Sequence, residues 1–283
     1  MKVLVTGSNG QLGYDVVREL QKRDIICYGA TRHDFDFTDF FAAEKFIKSY
    51  APDVVVHCGA YTAVDKAEDE PDLCFLVNEQ GTKNIAKICK LINAKMMYIS
   101  TDYVFDGNKE TPYEVDDIPN PQNIYGKSKL VGEQAVKEIL KKYFIVRISW
   151  VFGEHGNNFV KTMLRLGKEK KEISVVNDQI GSPTYTKDLA VLLCDMLKTE
   201  KYGIYHATNE GYCSWAEFAE EIFRISKMNV KVNYITSDEY PTKAKRPKNS
   251  RLSKKKLESN NFILLDSWHL AIYKYLRSFN KVI

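Results

Sequence analysis

Tyr125 and Lys129 stand as Tyr-x-x-x-Lys within Tyr125-Gly126-Lys127-Ser128-Lys129. On a helix that spacing puts both side chains on one face. An isolated tyrosine has a pKa of about 10. A nearby ammonium favours the phenolate and lowers that value. Tyr125 would then exchange a proton with a substrate oxygen near neutral pH. Upstream, Ser100-Thr101 ends an apolar run. Thr101 would orient and polarise a carbonyl by hydrogen bonding, with Ser100 as the competing hydroxyl.

A second group of residues handles phosphate. Gly7-Ser8-Asn9-Gly10-Gln11-Leu12-Gly13 follows the apolar run Val3-Leu4-Val5 and precedes a helical stretch. Gly7 allows a sharp turn, Gly10 lets the backbone approach a pyrophosphate, and Gly13 lets the helix sit close to the sheet. The helix N-terminus then offers free N–H groups to the phosphates of a dinucleotide. Beside its nicotinamide, Lys129 would also grip the ribose. After the second strand comes Thr31-Arg32-His33-Asp34. An acid there binds a ribose 2′-hydroxyl, whereas Arg favours a 2′-phosphate. Arg32 therefore points toward NADPH, with NADH also usable, and Asp36-Phe37 should lie near the adenine.

The elements that must position these groups alternate. Strands are expected at 3–5, 25–29, 53–57, 96–100 and 144–150, and helices at 14–22, 42–49, 72–91 and 124–142. Fully apolar strands separated by helices imply an α/β fold with a parallel sheet covered on both faces. Right-handed crossovers would wind it as a Rossmann-type doubly wound sheet. After residue 150 the rhythm changes. Helices are expected at 158–171, 186–197 and 214–226, and strands at 173–177 and 202–207. Ser214 and Glu217 form a capping box for the last helix. The expected organisation is a dinucleotide domain over 1–150, with part of about 184–207 returning to it. A smaller α/β substrate domain then occupies mainly 151–283, and the ligand cleft lies between them.

Bulk properties exclude other classes. The chain has 283 residues, 44% hydrophobic, and 41 basic against 37 acidic side chains, a net +4. That balance does not indicate nucleic-acid binding. The six cysteines form no Cys-x-x-Cys pair, so buried free thiols in a reducing compartment are expected. Met1-Lys2 opens no signal peptide and no run is long enough to span a membrane, so a cytoplasmic protein is expected.

At this point the chain closely resembles the dTDP-4-dehydrorhamnose reductase family of extended short-chain reductases. The resemblance covers nearly the whole sequence. It is carried by the motifs above, by Ala60-Tyr61-Thr62-Ala63-Val64-Asp65-Lys66-Ala67-Glu68 and by Ser100-Thr101-Asp102-Tyr103-Val104-Phe105-Asp106-Gly107. It continues through Arg147-Ile148-Ser149-Trp150-Val151-Phe152-Gly153, Asn157-Asn158-Phe159, Asp178-Gln179-Ile180-Gly181-Ser182-Pro183-Thr184 and Arg246-Pro247-Lys248-Asn249-Ser250. It implies reduction of the C4 ketone of dTDP-4-dehydro-L-rhamnose by NADPH or NADH. Tyr125 would donate the proton, Lys129 would tune it, and Thr101 would hold the oxygen. Gly10-Gln11-Leu12, Asp36-Phe37 and Ala60-Tyr61-Thr62 would contact the cofactor.

For the nucleotide sugar the resemblance implies Thr101, Asp102, Tyr103 and Trp150, although Trp150 also reads as a core aromatic ending a strand. Arg246 suits the substrate diphosphate on chemical grounds. Asn158 and Asn249 could add donors. The rest of the basic tail, Lys243, Lys245 and Lys248, also reads as a solvated face. Some family members bind Mg at a dimer interface through glutamates. Here Asp15 occupies one such position and the other ligands do not align, so no metal site is assigned. A homodimer stays open. A dehydratase would carry Asp-Glu after the threonine, where Asp102-Tyr103 stands. A 4-epimerase and a non-catalytic regulatory subunit, such as the one attached to methionine adenosyltransferase, are the remaining alternatives.

Overall fold

A computed structural model describes residues 1–279. The first half runs β1 (Lys2–Thr6), α1 (Gln11–Lys22), β2 (Ile26–Ala30), α2 (Phe40–Tyr50) and β3 (Val54–His57). Then come α3 (Val64–Ala67), α4 (Pro71–Phe75), a π-helical turn (Leu76–Gly81) and α5 (Thr82–Leu91). β4 (Lys95–Thr101), a 3-10 turn (Asp102–Val104), α6 (Ile124–Ile139) and β5 (Tyr143–Ile148) complete it. The second half begins with β6 (Val151–Phe152), α7 (Phe159–Glu169), β7 (Glu172–Val176), β8 (Ile180–Gly181) and β9 (Thr184–Tyr185). It continues with α8 (Thr186–Leu197), β10 (Gly203–His206), β11 (Cys213–Ser214), α9 (Trp215–Ile225) and β12 (Lys231–Ile235). β13 (Asn249–Ser250), α10 (Lys255–Ser259) and α11 (Trp268–Phe279) close it.

Six strands form one parallel sheet in the order β10-β5-β4-β3-β1-β2. Its strands are apolar at successive positions because both faces are covered. Val3, Val5, Val54 and Val56 face a cluster with Val16 and Leu20 of α1 and Leu189, Leu193 and Leu197 of α8. Leu4 and Val55, one residue out of phase, face Ala43 and Ile47 of α2 and Ile85 and Ile88 of α5. The chain passes from β1 outward to β2, then back across to β3 on the other side of β1. That reversal opens a crevice at the carboxyl ends of the strands, where such sheets bind ligands.

A further core gathers α7, α9 and α11 around Phe152, Ile173, Val175, Phe218 and Tyr275. Beside it lies a three-stranded sheet in the order β11-β8-β13. The expected capping box forms: Glu217 N–H donates to Ser214 Oγ, and Ser214 N–H donates to the Glu217 carboxylate.

Two expected elements are interrupted. The helix expected over 72–91 is broken by the π turn, whose extra residue swings Asn78 toward the loop after β3. The strand expected over 144–150 ends at Ile148, because Trp150 adopts φ 49°. The chain turns there and resumes as β6, which pairs with β9.

Candidate active site

A cavity of about 800 Å³ runs along the carboxyl ends of the strands. One end is the glycine turn, and Gly7, Gly10, Gln11, Leu12 and Gly13 all line it. Gly7 has φ 65°, and a Cβ there would sit 2.7 Å from Gly59 N. A Cβ on Gly13 would lie 2.3 Å from the Gly7 carbonyl oxygen. The turn therefore packs backbone against backbone and keeps side chains out of the phosphate path. Gly10 is the N-cap of α1 and offers no capping side chain. The first N–H groups of α1 stay free for an anion.

Arg32, Asp36 and Phe37 line the cavity past the end of β2. Asp34 is spent on the turn itself: it accepts from Thr31 N at 2.8 Å, Thr31 Oγ1 at 3.0 Å and Tyr28 Oη at 2.6 Å. Asp34 is therefore committed to the turn, whereas Arg32 is exposed and makes no ion pair among the described residues. Asp36, whose Oδ1 accepts from Thr38 N and Oγ1, is the acid that remains on this wall. Ala60 and Thr62 line the same wall. Tyr61 between them does not. Its hydroxyl donates to Glu70 at 2.9 Å, and its backbone N–H and C=O are both held by the Asn78 amide.

At the other end, Thr101, Asp102, Tyr103, Tyr125 and Lys129 converge. Asn123 caps α6 through a 2.7 Å bond from Gly126 N–H, which fixes the first turn carrying Tyr125. Thr101 accepts from Tyr103 N–H at 3.2 Å and donates to Asp102 Oδ1 at 3.0 Å. Ser100 points elsewhere and donates to Glu133 at 2.5 Å. Glu133 is also bound by two nitrogens of Arg147, at 2.9 and 2.7 Å, in a buried pair. Both hydroxyls thus donate to a carboxylate, Ser100 to one locked in the buried Arg147 pair and Thr101 to Asp102, which itself lines the cavity.

Burial dominates the electrostatics. Lys129 is 2% exposed, and its Nζ lies 4.0 Å from the Tyr98 ring centroid. Desolvation drops its ammonium to about 7, with Glu133 opposing. Asp102 is 3% exposed, and burial raises its carboxyl to about 6, offset by Ser250 and Thr101. Its Oδ2 has no hydrogen bond. Tyr125 departs from the sequence-based expectation. Its phenol is pushed up by burial and then by the Asp102 carboxylate, while Thr101 partly offsets them. The lowering expected from Lys129 does not prevail, because desolvation of a phenolate outweighs it.

Trp150 lines the cavity, stacked on Trp215 with centroids 3.7 Å apart. Three expected substrate contacts are not on its walls. Asn158 caps α7, accepting from Lys161 N–H at 3.0 Å, and donates to Gln11 and the Gly153 carbonyl. Asn249 spends its amide on the carbonyls of Lys109 and Thr111. Arg246 stands behind Tyr103, donating to its hydroxyl at 3.2 Å and pairing with Asp65 at 2.7 Å. Conversely, Asn9, Ser149 and Asn157 line the cavity without having been singled out. So do Leu73 and Leu76, each 44% exposed. Exposed leucines on a helix are the signal that could have found the latter pair.

The residues do not fit a metal. Asp15 is buried and accepts from Thr186 at 2.5 Å, and Glu154 is paired with Lys187. Among the described residues no group of three or more His, Cys, Asp or Glu could hold a metal ion. No described helix is long and apolar enough to cross a membrane.

The chain matches the model of the RmlD substrate binding domain over residues 1–281. It is 41% identical to the spore coat polysaccharide biosynthesis protein SpsK of Bacillus subtilis, covering 98% of this chain and 97% of that protein. It is 36% identical to the dTDP-4-dehydrorhamnose reductase of Escherichia coli K12, with the same coverages. The crystal structure of dTDP-4-dehydrorhamnose reductase from Bacillus anthracis in complex with NADP superposes with TM-score 0.96 at 45% identity. That match covers 98% of this chain and 100% of that one. With the glycine turn and the Thr101, Tyr125 and Lys129 side chains on one cavity, and agreement over nearly its full length, this chain belongs to the RmlD substrate binding domain family.

Proposed function

We propose that the protein uses NADPH to reduce the C4 ketone of dTDP-4-dehydro-L-rhamnose to dTDP-L-rhamnose. The observation that carries this reading is the convergence of Thr101, Tyr125 and Lys129 on the cavity that begins at the glycine turn. When bound, the reduced nicotinamide supplies the hydride. The α1 N-terminus and its glycines would hold the diphosphate, and Arg32 the 2′-phosphate.

A ketone that has accepted hydride is an alkoxide and needs one proton. Tyr125 is raised above its ordinary value, so it carries that proton at neutral pH. It donates to the alkoxide, and the Lys129 ammonium offsets the phenolate charge until solvent returns the proton. Thr101 hydrogen-bonds the same oxygen. Asp102 Oδ2, buried and without a partner, requires a donor, and a sugar hydroxyl supplies one. The free thiols fit a cytoplasmic enzyme.

The test mixes protein, NADPH and dTDP-4-dehydro-L-rhamnose, follows loss of reduced-nicotinamide absorbance, and identifies the product by NMR. Tyr125→Phe should cut turnover by at least about a hundredfold while leaving NADPH affinity within about twofold. Near-normal turnover in that variant removes the proton-donor role. NADPH binding without oxidation by the wild type would instead mark a non-catalytic binder.

A further inference from the structure

Trp150 is held in a conformation that an aromatic residue does not choose. Its φ of 49° lies in the left-handed region. Such a backbone is strained and persists only where the surroundings enforce it. The enforcement is visible. Thr184 N–H donates to the Trp150 carbonyl at 3.1 Å, and Thr184 Oγ1 donates to the Ser149 carbonyl at 2.6 Å. Ser149 Oγ donates to the Ser182 carbonyl at 2.8 Å. The chain turns at this residue, and Trp150 lines the cavity.

The indole itself is gripped from two directions by one small sheet. β8 contributes Gly181, where a Cβ would sit 2.7 Å from Trp150 Cε2 and 3.0 Å from Nε1. β11 pairs with β8, Cys213 opposite Gly181 and Ser214 opposite Ile180. The next residue is Trp215, the first of α9, fixed by the Ser214 capping box. Its ring lies parallel to that of Trp150, 3.7 Å between centroids at 12°. Phe159 backs Trp215 at 4.6 Å. Trp215 itself does not line the cavity.

We propose that Trp215 is a positioning residue for the nucleotide-sugar end of the site, acting by stacking on Trp150, and that Gly181 provides the clearance the indole needs. This rests on the reading of Trp150 as a substrate wall. It gives the Gly181 position of the Asp-Gln-Ile-Gly-Ser-Pro-Thr stretch a role at the site although Gly181 does not line the cavity. A side chain at 181 pushes the indole off its seat, and loss of the ring at 215 frees it to rotate; either way the wall against which the sugar packs is lost.

The experiment compares Trp215→Ala, Trp215→Phe and Gly181→Ala in the full chain. It measures KM and kcat for the nucleotide sugar and Kd for NADPH. Trp215→Ala and Gly181→Ala should raise KM about tenfold or more, as displacement of a positioning group does. Kd for NADPH should hold, and Trp215→Phe, which keeps a stacking face, should recover most of the loss. Stacked indoles also couple as excitons in circular dichroism; the couplet should disappear in Trp215→Phe and change in Gly181→Ala. Unchanged KM in both alanine variants overturns the proposal. So does a parallel loss of NADPH affinity, which marks general damage. Should Trp215→Ala not fold, Gly181→Ala and Trp215→Phe decide alone. Trp150→Ala separates the two levels: if it leaves KM and kcat unchanged, the reading of Trp150 as a substrate wall fails first.

Discussion

Lys129 shows what burying an ammonium costs. Its ammonium is buried without a carboxylate partner among the described residues, over the Tyr98 ring. Burial moves it from 10.5 to about 7. A base whose value falls on folding destabilises the folded state. The unfolded chain binds a proton that the folded one has lost between about 7 and 10.5. The penalty is full below about 7 and fades as pH climbs to 10.5. Lys129→Met should therefore raise the melting temperature near neutral pH while abolishing turnover. Its stability advantage, on the order of a few kcal/mol, should shrink as pH rises. Calorimetry of both proteins from pH 6 upward by about 3 units reads this directly; a variant less stable than wild type refutes it. Arg32 makes a different claim. Asp34 is committed to its turn, and the Arg32 guanidinium lines the cavity without an ion pair among the described residues, so the preference for NADPH over NADH is assigned to it. Arg32→Ala should raise KM for NADPH about tenfold and leave KM for NADH alone, the loss expected of one charge-assisted contact. The Tyr125–Lys129 pair was legible because its chemistry fixes both residue types and their spacing. The direction of the tyrosine shift was not, because it depends on how completely the ring is buried.

Periodicity identified most of the strands and helices of the first half, since buried parallel strands are apolar at every position and the helices between them carry one apolar stripe. It missed the π turn at Leu76–Gly81, where one extra residue leaves the apolar pattern readable as an unbroken helix. That turn matters because it aims Asn78. The amide holds the N–H and C=O of Tyr61 and donates to Ser128, whose hydroxyl bonds the Tyr125 carbonyl. One side chain thus ties the cofactor loop after β3 to the helix bearing Tyr125 and Lys129. Asn158 and Asn249, expected as substrate donors, lie off the cavity wall for a related reason. An asparagine amide reads alike in sequence whether it serves a ligand or the protein itself; Asn249 donates to backbone carbonyls, and Asn158 to the Gly153 carbonyl and the Gln11 side chain. Asn78→Ala should orphan two Tyr61 backbone groups at about 1–3 kcal/mol each. The melting temperature should fall, and Kd for NADPH should rise as Ala60 and Thr62 lose their anchor. A variant that melts earlier but binds NADPH as before would show that the tie is not part of the site.

At the scale of the molecule the two halves are interleaved. The chain leaves the main sheet after β5, then returns to lay α8 on α1 and to place β10 against β5. Asp15 to Thr186 and Arg23 to Asp195 stitch the same seam. Gln11 on the glycine turn bonds Asn158, and Tyr14 stacks on His155, 4.5 Å between centroids. Strand order of this kind was only partly readable, because β10 is short and its partner is decided by packing rather than by pattern. The consequence is specific. A fragment of residues 1–150 loses β10 and exposes β5 as an open edge. It also loses Leu189, Leu193, Cys194, Met196 and Leu197, all buried against the sheet cluster. Burial of each large apolar side chain contributes about 2 kcal/mol. Their sum is comparable to a whole domain's stability of about 5–15 kcal/mol. The fragment should therefore aggregate or unfold without cooperativity and should not bind NADPH, although it contains the glycine turn, Tyr125 and Lys129. Appending residues 184–207 through a flexible linker should restore a cooperative melt and NADPH affinity, because it returns α8 and β10 to their places. A 1–150 fragment that is monomeric, melts cooperatively and binds NADPH would show that α8 and β10 decorate the dinucleotide fold rather than complete it.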